Sequence, residues 1–349
     1  MRALAQPGLE MALSSAVGSD PGEEYREVVS RRERLPPHVL RRLCEISPVR
    51  SGLAVAHTFG VIVLAIWAAV TWWSVEVVAL ALLVIATRQQ ALFVLAHDAA
   101  HYRLFNHRQL NDLVGRLCAS AVGISMCTYR VVHRLHHNHL YESRDPDIPL
   151  HAGYPRGRWY LVRKLLGDLT GKTAVKTYGY FFGAPVLNDD VGDKNRPLTD
   201  TSAKLRRAAR RDRWAVVGCQ IGMLGAALGT GYGFEYAVLW LLPAVTLLQA
   251  LLRFRAICEH GAVSNIETPR TAARTNFANP VVQWAFFPHH VNYHIEHHMY
   301  PAIPHYNLPE CHRELKARGL LDEAEVRRFR ETAAMVFGPP SAAGAAATR

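Results

Sequence analysis

Apolar positions in this chain fall into long runs almost free of charge, separated by short turns. Residues 52–73 form one run and, after a turn at Ser74, residues 75–96 form another. A second pair covers 214–232 and 236–252 around the turn Gly231-Tyr232-Gly233. At 1.5 Å per residue, a helix of about twenty residues crosses the ~30 Å hydrocarbon core of a bilayer. The pattern predicts an all-α integral membrane protein with four transmembrane helices in two hairpins. Trp67, Trp72 and Trp73 gather at the far end of the first run, as interfacial anchors do. His57, inside that run, reads as a packed or hydrogen-bonded side chain.

Several positions break the pattern. Arg88, Gln89 and Gln90 lie inside the second run, Arg88 ~13 Å of helix before His97. A buried charge in a membrane needs a partner, so structural pairing is preferred to a role in shaping a substrate cavity. The fourth run contains Pro243 and ends on Arg253 and Arg255. Residues 113–127 are apolar but short and carry Arg116, which suits one interfacial or re-entrant helix; 281–287 reads as amphipathic and interfacial. Gly218, Gly222, Gly225 and Gly229 have the small-residue spacing that lets helices approach closely. The Gly231 turn completes no dinucleotide fingerprint.

Charge sets the orientation. The net charge is +11, without a nucleic-acid motif, and Lys and Arg flank the apolar runs, so a membrane surface is the expected partner and nucleic acid is not. Residues 1–50 form a segment that is disordered at its front and basic behind, with Arg31, Arg32, Arg34, Arg41, Arg42 and Arg50 set to lie on anionic lipid. It has no early apolar core, so no secretory signal is expected. Residues 51–315 form the membrane domain, with a cap made of 97–213 and 253–315 that includes a loop around 188–200; 316–349 is a tail, disordered after Gly338. With the basic segments inside, both hairpin turns lie outside and the cap is cytoplasmic, in an inner or plasma membrane. The six cysteines are scattered, with no C-x-x-C pair, which leaves no disulfide framework, zinc ribbon or iron–sulfur site.

Histidine supplies the chemistry. Three clusters, His97-Asp98-Ala99-Ala100-His101, His133-Arg134-Leu135-His136-His137 and His294-Ile295-Glu296-His297-His298, share spacings of i,i+4 or i,i+3,i+4. On a helix these put imidazoles on one face, a turn apart. Eight histidines exceed the needs of one catalytic zinc, which takes three protein ligands; two metals in one imidazole-rich pocket would use them all. Imidazole suits iron, copper and zinc alike. Asp98, Asp145, Asp147, Glu259 and Glu296 are candidates to accept the free ring N–H of a ligand, Asp98 and Glu296 foremost. His139, His289 and His290 adjoin the clusters but fall outside the shared spacing, so they read as neighbours.

In this order around two hairpins, the clusters resemble the three histidine boxes of the membrane fatty acid desaturase and hydroxylase superfamily. The resemblance covers residues 71–315. It implies that His97, His101, His133, His136, His137, His294, His297 and His298 hold two non-haem iron ions and carry catalysis, and that His260, near the end of the fourth run, completes the set. Ala256 stands where animal acyl-CoA desaturases have an asparagine, and the first box has three intervening residues rather than four, so the chain is more similar to the acyl-lipid and bacterial branches. The third box starts with His294 and not the glutamine of front-end desaturases. No fused cytochrome b5 domain is recognisable.

The implied reaction is O2-dependent introduction of a double bond into a long acyl chain, with hydroxylation or ketolation of a lipid, alkane or carotenoid as the alternative. With no flavin or iron–sulfur motif, electrons must come from a separate ferredoxin or cytochrome, for which the Arg-rich cap offers a docking face. A membrane zinc protease is a remote third reading: His97-Asp98-x-x-His101 resembles H-E-x-x-H, but Asp98 is a methylene shorter than the general base and six histidines would be idle. A metal transporter would place histidines inside the crossings, where only His57 lies.

Overall fold

Ser47 and Pro48 start the first long helix: the Ser47 hydroxyl accepts from the Arg50 N–H at 3.4 Å, and proline at the first helical turn lacks a donor that would be orphaned there anyway. The computed structural model describes residues 34–142, 145–182, 203–263 and 265–341. The front of the basic segment, the loop around 188–200 and the alanine-rich end of the tail lie outside them. The chain divides into two compact units, 1–42 and 43–349; a short helix, α1 (Pro37–Leu43), runs across their boundary. Exposed Arg50 bonds Asn307 Oδ1 and the Tyr306 carbonyl, both at 3.0 Å.

Helix α2 (Pro48–Thr71) buries only Ser51, Thr58, Ile62 and Ala69, one stripe that faces α3 (Val75–Ala100), and leaves Leu53, Val63 and Leu64 exposed. Helix α3 is the centre of the protein: every residue from Arg88 to Ala100 is buried. The polar trio in its middle ties it to its neighbours. Arg88 Nη2 donates to the Trp284 carbonyl and its guanidinium lies 3.8 Å from the Trp284 ring centroid. Gln89 donates to the Trp240 carbonyl at 2.9 Å and Gln90 to the Phe286 carbonyl at 2.7 Å.

The predicted element 113–127 is two helices, α4 (Arg108–Ala121) and α5 (Met126–Asn138). Gly123, at φ +77°, ends the first, and Ser125 caps the second. Buried Asp212 locks the junction, accepting from Ser125 Oγ and the Cys127 N–H, both at 2.9 Å, and from Arg116. Gly115 lets α4 reach the end of α3. A methyl group there would stand 2.4 Å from Ala99 Cβ and 2.5 Å from Met126 Sδ. Gly115→Ala is therefore expected to cost ~1–3 kcal/mol, read as a lower Tm of the solubilised protein; an unchanged Tm would contradict this packing.

After α6 (Arg158–Leu169) and α7 (Ala174–Phe182), α8 (Ala203–Gly229) contains most of the predicted third run. Its first half is basic (Arg206, Arg207, Arg210, Arg211, Arg213), and among the described residues three helices, not four, are long and apolar enough to cross a membrane: α2, α3 and α9 (Gly233–His260). Among the described residues, the expected close packing at Gly218, Gly222, Gly225 and Gly229 is not seen: no neighbouring element comes within 4 Å of a Cβ built at any of them. Helix α9 is interrupted around Pro243, which cannot donate; the chain widens into a π turn at Ala237–Leu241 and breaks at Thr246 before running on to His260. Trp73 and Phe234, in the two hairpin turns, touch with ring centroids 5.9 Å apart, so both turns share one end of the bundle.

The remainder is built from β1 (Thr275–Phe277), α10 (Pro280–Phe286), α11 (His294–Met299), α12 (Leu308–Ala317), β2 (Val326–Arg328) and α13 (Phe329–Val336). Residues 326–336, expected in a tail, belong to the fold: β2 pairs in parallel with β1, Thr332 donates to Asn276 at 2.6 Å, and Phe329 packs against Phe254, Phe286 and Phe287. The described residues are thus mostly helical, with one two-stranded sheet among them.

Candidate metal centre

The helix ends away from the hairpin turns converge. Helix α3 brings His97 in its last turn and His101 at its cap; α5 brings His133, His136 and His137; α9 ends on His260; α11 carries His294, His297 and His298. All nine sequence-predicted histidines meet, in two groups. His97, His101, His133, His137 and His297 form one, and His136, His260, His294 and His298 the other, with the ligand atoms of each group within 4.8 Å of one another.

Helical geometry explains the partition. Residues i and i+4 share a face, whereas i+3 points about 100° away from i+4 around the axis. On α5 the i,i+4 pair His133/His137 enters the first group and His136 the second. On α11 the pair His294/His298 enters the second group and His297 the first. Two antisymmetric boxes thereby serve two adjacent sites, and the His137 and His298 rings stack at 4.3 Å where the sites meet.

The donor atoms suit a cation. Nε2 atoms face one another at 2.9 Å (His97–His297), 2.9 Å (His137–His297) and 3.0 Å (His133–His137) in the first group. In the second the separations are 2.8 Å (His260–His294), 3.2 Å (His136–His260) and 3.2 Å (His294–His298). Two nitrogens each ~2.1 Å from one ion and about 90° apart lie ~3 Å from each other. Bare lone pairs at that distance repel, and His101 Nε2 is buried with no hydrogen-bond partner. A metal ion at each centre resolves both problems, and an all-nitrogen donor set selects iron, copper or zinc over magnesium or calcium.

Outer partners fix some rings. With Nε2 turned inward, His136 Nδ1 donates to Asp145 Oδ1 at 3.0 Å, and His260 Nδ1 to the Ala272 carbonyl at 3.0 Å. Asp145 is itself held by the Tyr141 and Asp147 N–H groups, at 3.1 and 2.9 Å. Asp98, as expected, accepts from a ligand, with Oδ1 3.4 Å from His97 Nδ1, and its Oδ2 accepts a shorter bond from His305 Nδ1 at 2.6 Å. Glu296, expected to orient a ligand, does not; it accepts from Thr275 at 2.6 Å and His312 at 2.5 Å, which braces α11. Glu259 is 3.9 Å from His294 Nδ1, and Asp147 3.7 Å from His136 Nδ1. His305 and His312 have no periodic signal in the chain and escaped the sequence reading. His57 is exposed rather than packed, His139 pairs with Glu142 at 2.8 Å, His289 pairs with Thr58 at 2.9 Å, and none of these three joins a group, nor does His290.

Burial disfavours the charged form of most of the ligands. It lowers the pKa of His101 to about 3 and holds His133, His137, His294, His297 and His298 well below the ordinary 6.5. Burial opposes protonation of His136 too, but the Asp145 hydrogen bond and the Asp147 and Asp145 charges outweigh it, and its pKa is raised. Below about pH 6.5 the unfolded chain binds protons at six histidines that the folded one leaves bare, so stability falls as pH falls. The expected result is a Tm of the chelated protein that drops between roughly pH 6.5 and 4; a Tm that rises on acidification over that range would contradict this burial.

A cavity of ≈ 670 Å³ opens against both groups, lined by His97 and His133 of the first, by His136, His260 and His294 of the second, and by Phe93, Tyr129, Phe181 and Leu252. That volume suits a small-molecule or chain-like substrate.

Membrane-length helices around paired imidazole sites define a membrane protein able to hold metal ions. Comparison with known proteins agrees. The chain belongs to the fatty acid desaturase family, a family of oxidoreductases, whose model matches residues 71–331. It is similar to the dihydrorhizobitoxine desaturase of Bradyrhizobium elkanii, 26% identical over 288 residues that cover 78% of each protein. The chloroplastic omega-3 fatty acid desaturase of Glycine max is 24% identical over 237 residues, 63% of this chain and 50% of that protein. The beta-carotene ketolase of Haematococcus lacustris is 29% identical over 242 residues, 66% of this chain and 60% of that protein. The chain thus spans only about half to 60% of those plant and algal relatives.

Proposed function

We propose that this chain is an O2-dependent membrane desaturase that introduces a double bond into an alkyl chain, using two iron ions held by the nine histidines. The observation that carries the reading is the sorting of two i,i+3,i+4 boxes, one from each helix, into two adjacent nitrogen sites. Bound there, the irons supply the reductive activation of dioxygen that removal of hydrogen from an unactivated C–H bond requires. The protein does the rest. Asp145 fixes the tautomer and direction of His136. The aromatic wall of Phe93, Tyr129 and Phe181 excludes water beside the sites and lies along an alkyl chain.

Four crossings in two hairpins complete the architecture, the third supplied by the apolar half of α8, with the histidines on the cytoplasmic side where the positive-inside rule puts the basic segments. Electrons arrive from a separate acidic ferredoxin or cytochrome, for which exposed Arg158, Arg163 and Lys164 on α6 offer a complementary face. Likeness to a ketolase favours a second reading, oxygen insertion into a lipid or carotenoid at the same site. Expression in a host followed by lipid profiling separates the two: a new alkene supports desaturation, a new alcohol or ketone the second reading, and neither product counts against both.

A further inference from the structure

The cavity beside the two histidine groups carries a cation whose hydrogen-bonding groups are unmatched. Two arginines from α9 line it. Arg253 is filled, with Nε 2.5 Å and Nη2 3.1 Å from the two carboxylate oxygens of Asp168. Arg255 is not: its Nε and Nη1 are buried without a hydrogen-bond partner. Glu259, one turn on, forms an ion pair with it at 3.6 Å from Nε, longer than a hydrogen bond, and Glu259 Oε1 likewise lacks a hydrogen-bond donor. His151 lines the same cavity with a fully buried side chain and both ring nitrogens unpartnered, 3.6 Å from Asp145. Lys176 stands exposed at the rim.

A partly buried guanidinium whose Nε and Nη1 are enclosed and unmatched is costly unless a ligand completes it. Its planar array of N–H groups matches a carboxylate through two parallel bonds, better than it matches an ester or a hydrocarbon. We propose that Arg255 anchors the carboxylate of the substrate inside this cavity, so that the preferred substrate is a free carboxylic acid with an apolar tail, with His151 donating a further hydrogen bond to the same group. The inference rests on the desaturase reading and names its substrate class. The tail then follows the wall of Phe93, Phe181 and Leu252. Arg255 precedes His260 by five residues, ~7.5 Å of helix rise. The C–H bonds brought to the histidines are accordingly those of the first carbons beyond the carboxylate.

The test is binding without turnover, on the full-length, iron-loaded chain in neutral-lipid nanodiscs, anaerobic and without reductant. Decanoate and methyl decanoate are titrated calorimetrically. Wild type is expected to bind decanoate ~10-fold or more tightly than the ester, and Arg255→Gln to weaken decanoate by a similar factor while leaving ester binding and iron content unchanged. Arg255→Lys, which keeps the charge but loses the planar array, should retain part of the preference. Equal binding of the two probes by wild type, equal weakening of both in Arg255→Gln, or loss of iron from that variant would overturn the assignment. Should Arg255→Gln not fold, the wild-type contrast decides alone. Failure to oxidise any alkyl substrate would count against the proposed reaction, whereas these titrations judge Arg255 independently of it.

Discussion

Replacing His297 by alanine is expected to lower both product formation and affinity for one of the two metal ions by ~100-fold or more, since even outer partners of a ligand are worth ten- to a hundredfold. His297 Nε2 sits 2.9 Å from both His97 and His137 and links α11 to α3 and α5 across the first site. Its loss removes a donor that no other described residue is placed to supply, while His136, His260, His294 and His298 keep the second site whole. The variant should therefore retain about half the metal and its fold. Metal content per chain, Tm and lipid profile together check this. Wild-type product from His297→Ala would remove it from the chemistry.

Asp145→Ala should act at the other site without touching a donor. Asp145 is the acceptor for His136 Nδ1 and is held by two backbone N–H groups, so it fixes which imidazole nitrogen faces the ion. Its loss is expected to reduce metal affinity ~10–100-fold, with Asp145→Asn, which keeps an acceptor oxygen, intermediate. Chelator competition on the two variants measures the effect. Affinities equal to wild type in both would show that the His136 ring is oriented by packing alone.

The box histidines were legible because helical periodicity is local: i,i+3,i+4 spacings state their own geometry, whatever packs around them. That the i+3 residue serves the site opposite to its i,i+4 neighbours follows from the same periodicity once both helices are known to face one pocket. His260 has no such pattern and was found through the resemblance. Asp145 and Asp98 were legible as candidate acceptors beside the boxes, but the long-range partners were not. Asp98 meets His305 across 207 residues and Arg88 meets Trp284 across 196, contacts that only the tertiary fold creates.

Elsewhere a readable signal was underweighted, since Gly123 and Ser125 mark the break between α4 and α5. The glycine spacing on α8 promised close packing that is not seen among the described residues, because small residues permit an approach without supplying a partner. In the segment after α12, Phe329 and Thr332 bury against β1 and α9 although the sequence there is rich in charge.

Metal analysis of the purified full-length chain, before and after stripping and reloading with iron, tests the paired nitrogen sites most directly. Two irons per chain, with oxidation lost on stripping and restored by iron but not by zinc, is the expected result. A single zinc per chain, or full activity after all iron is gone, would contradict it.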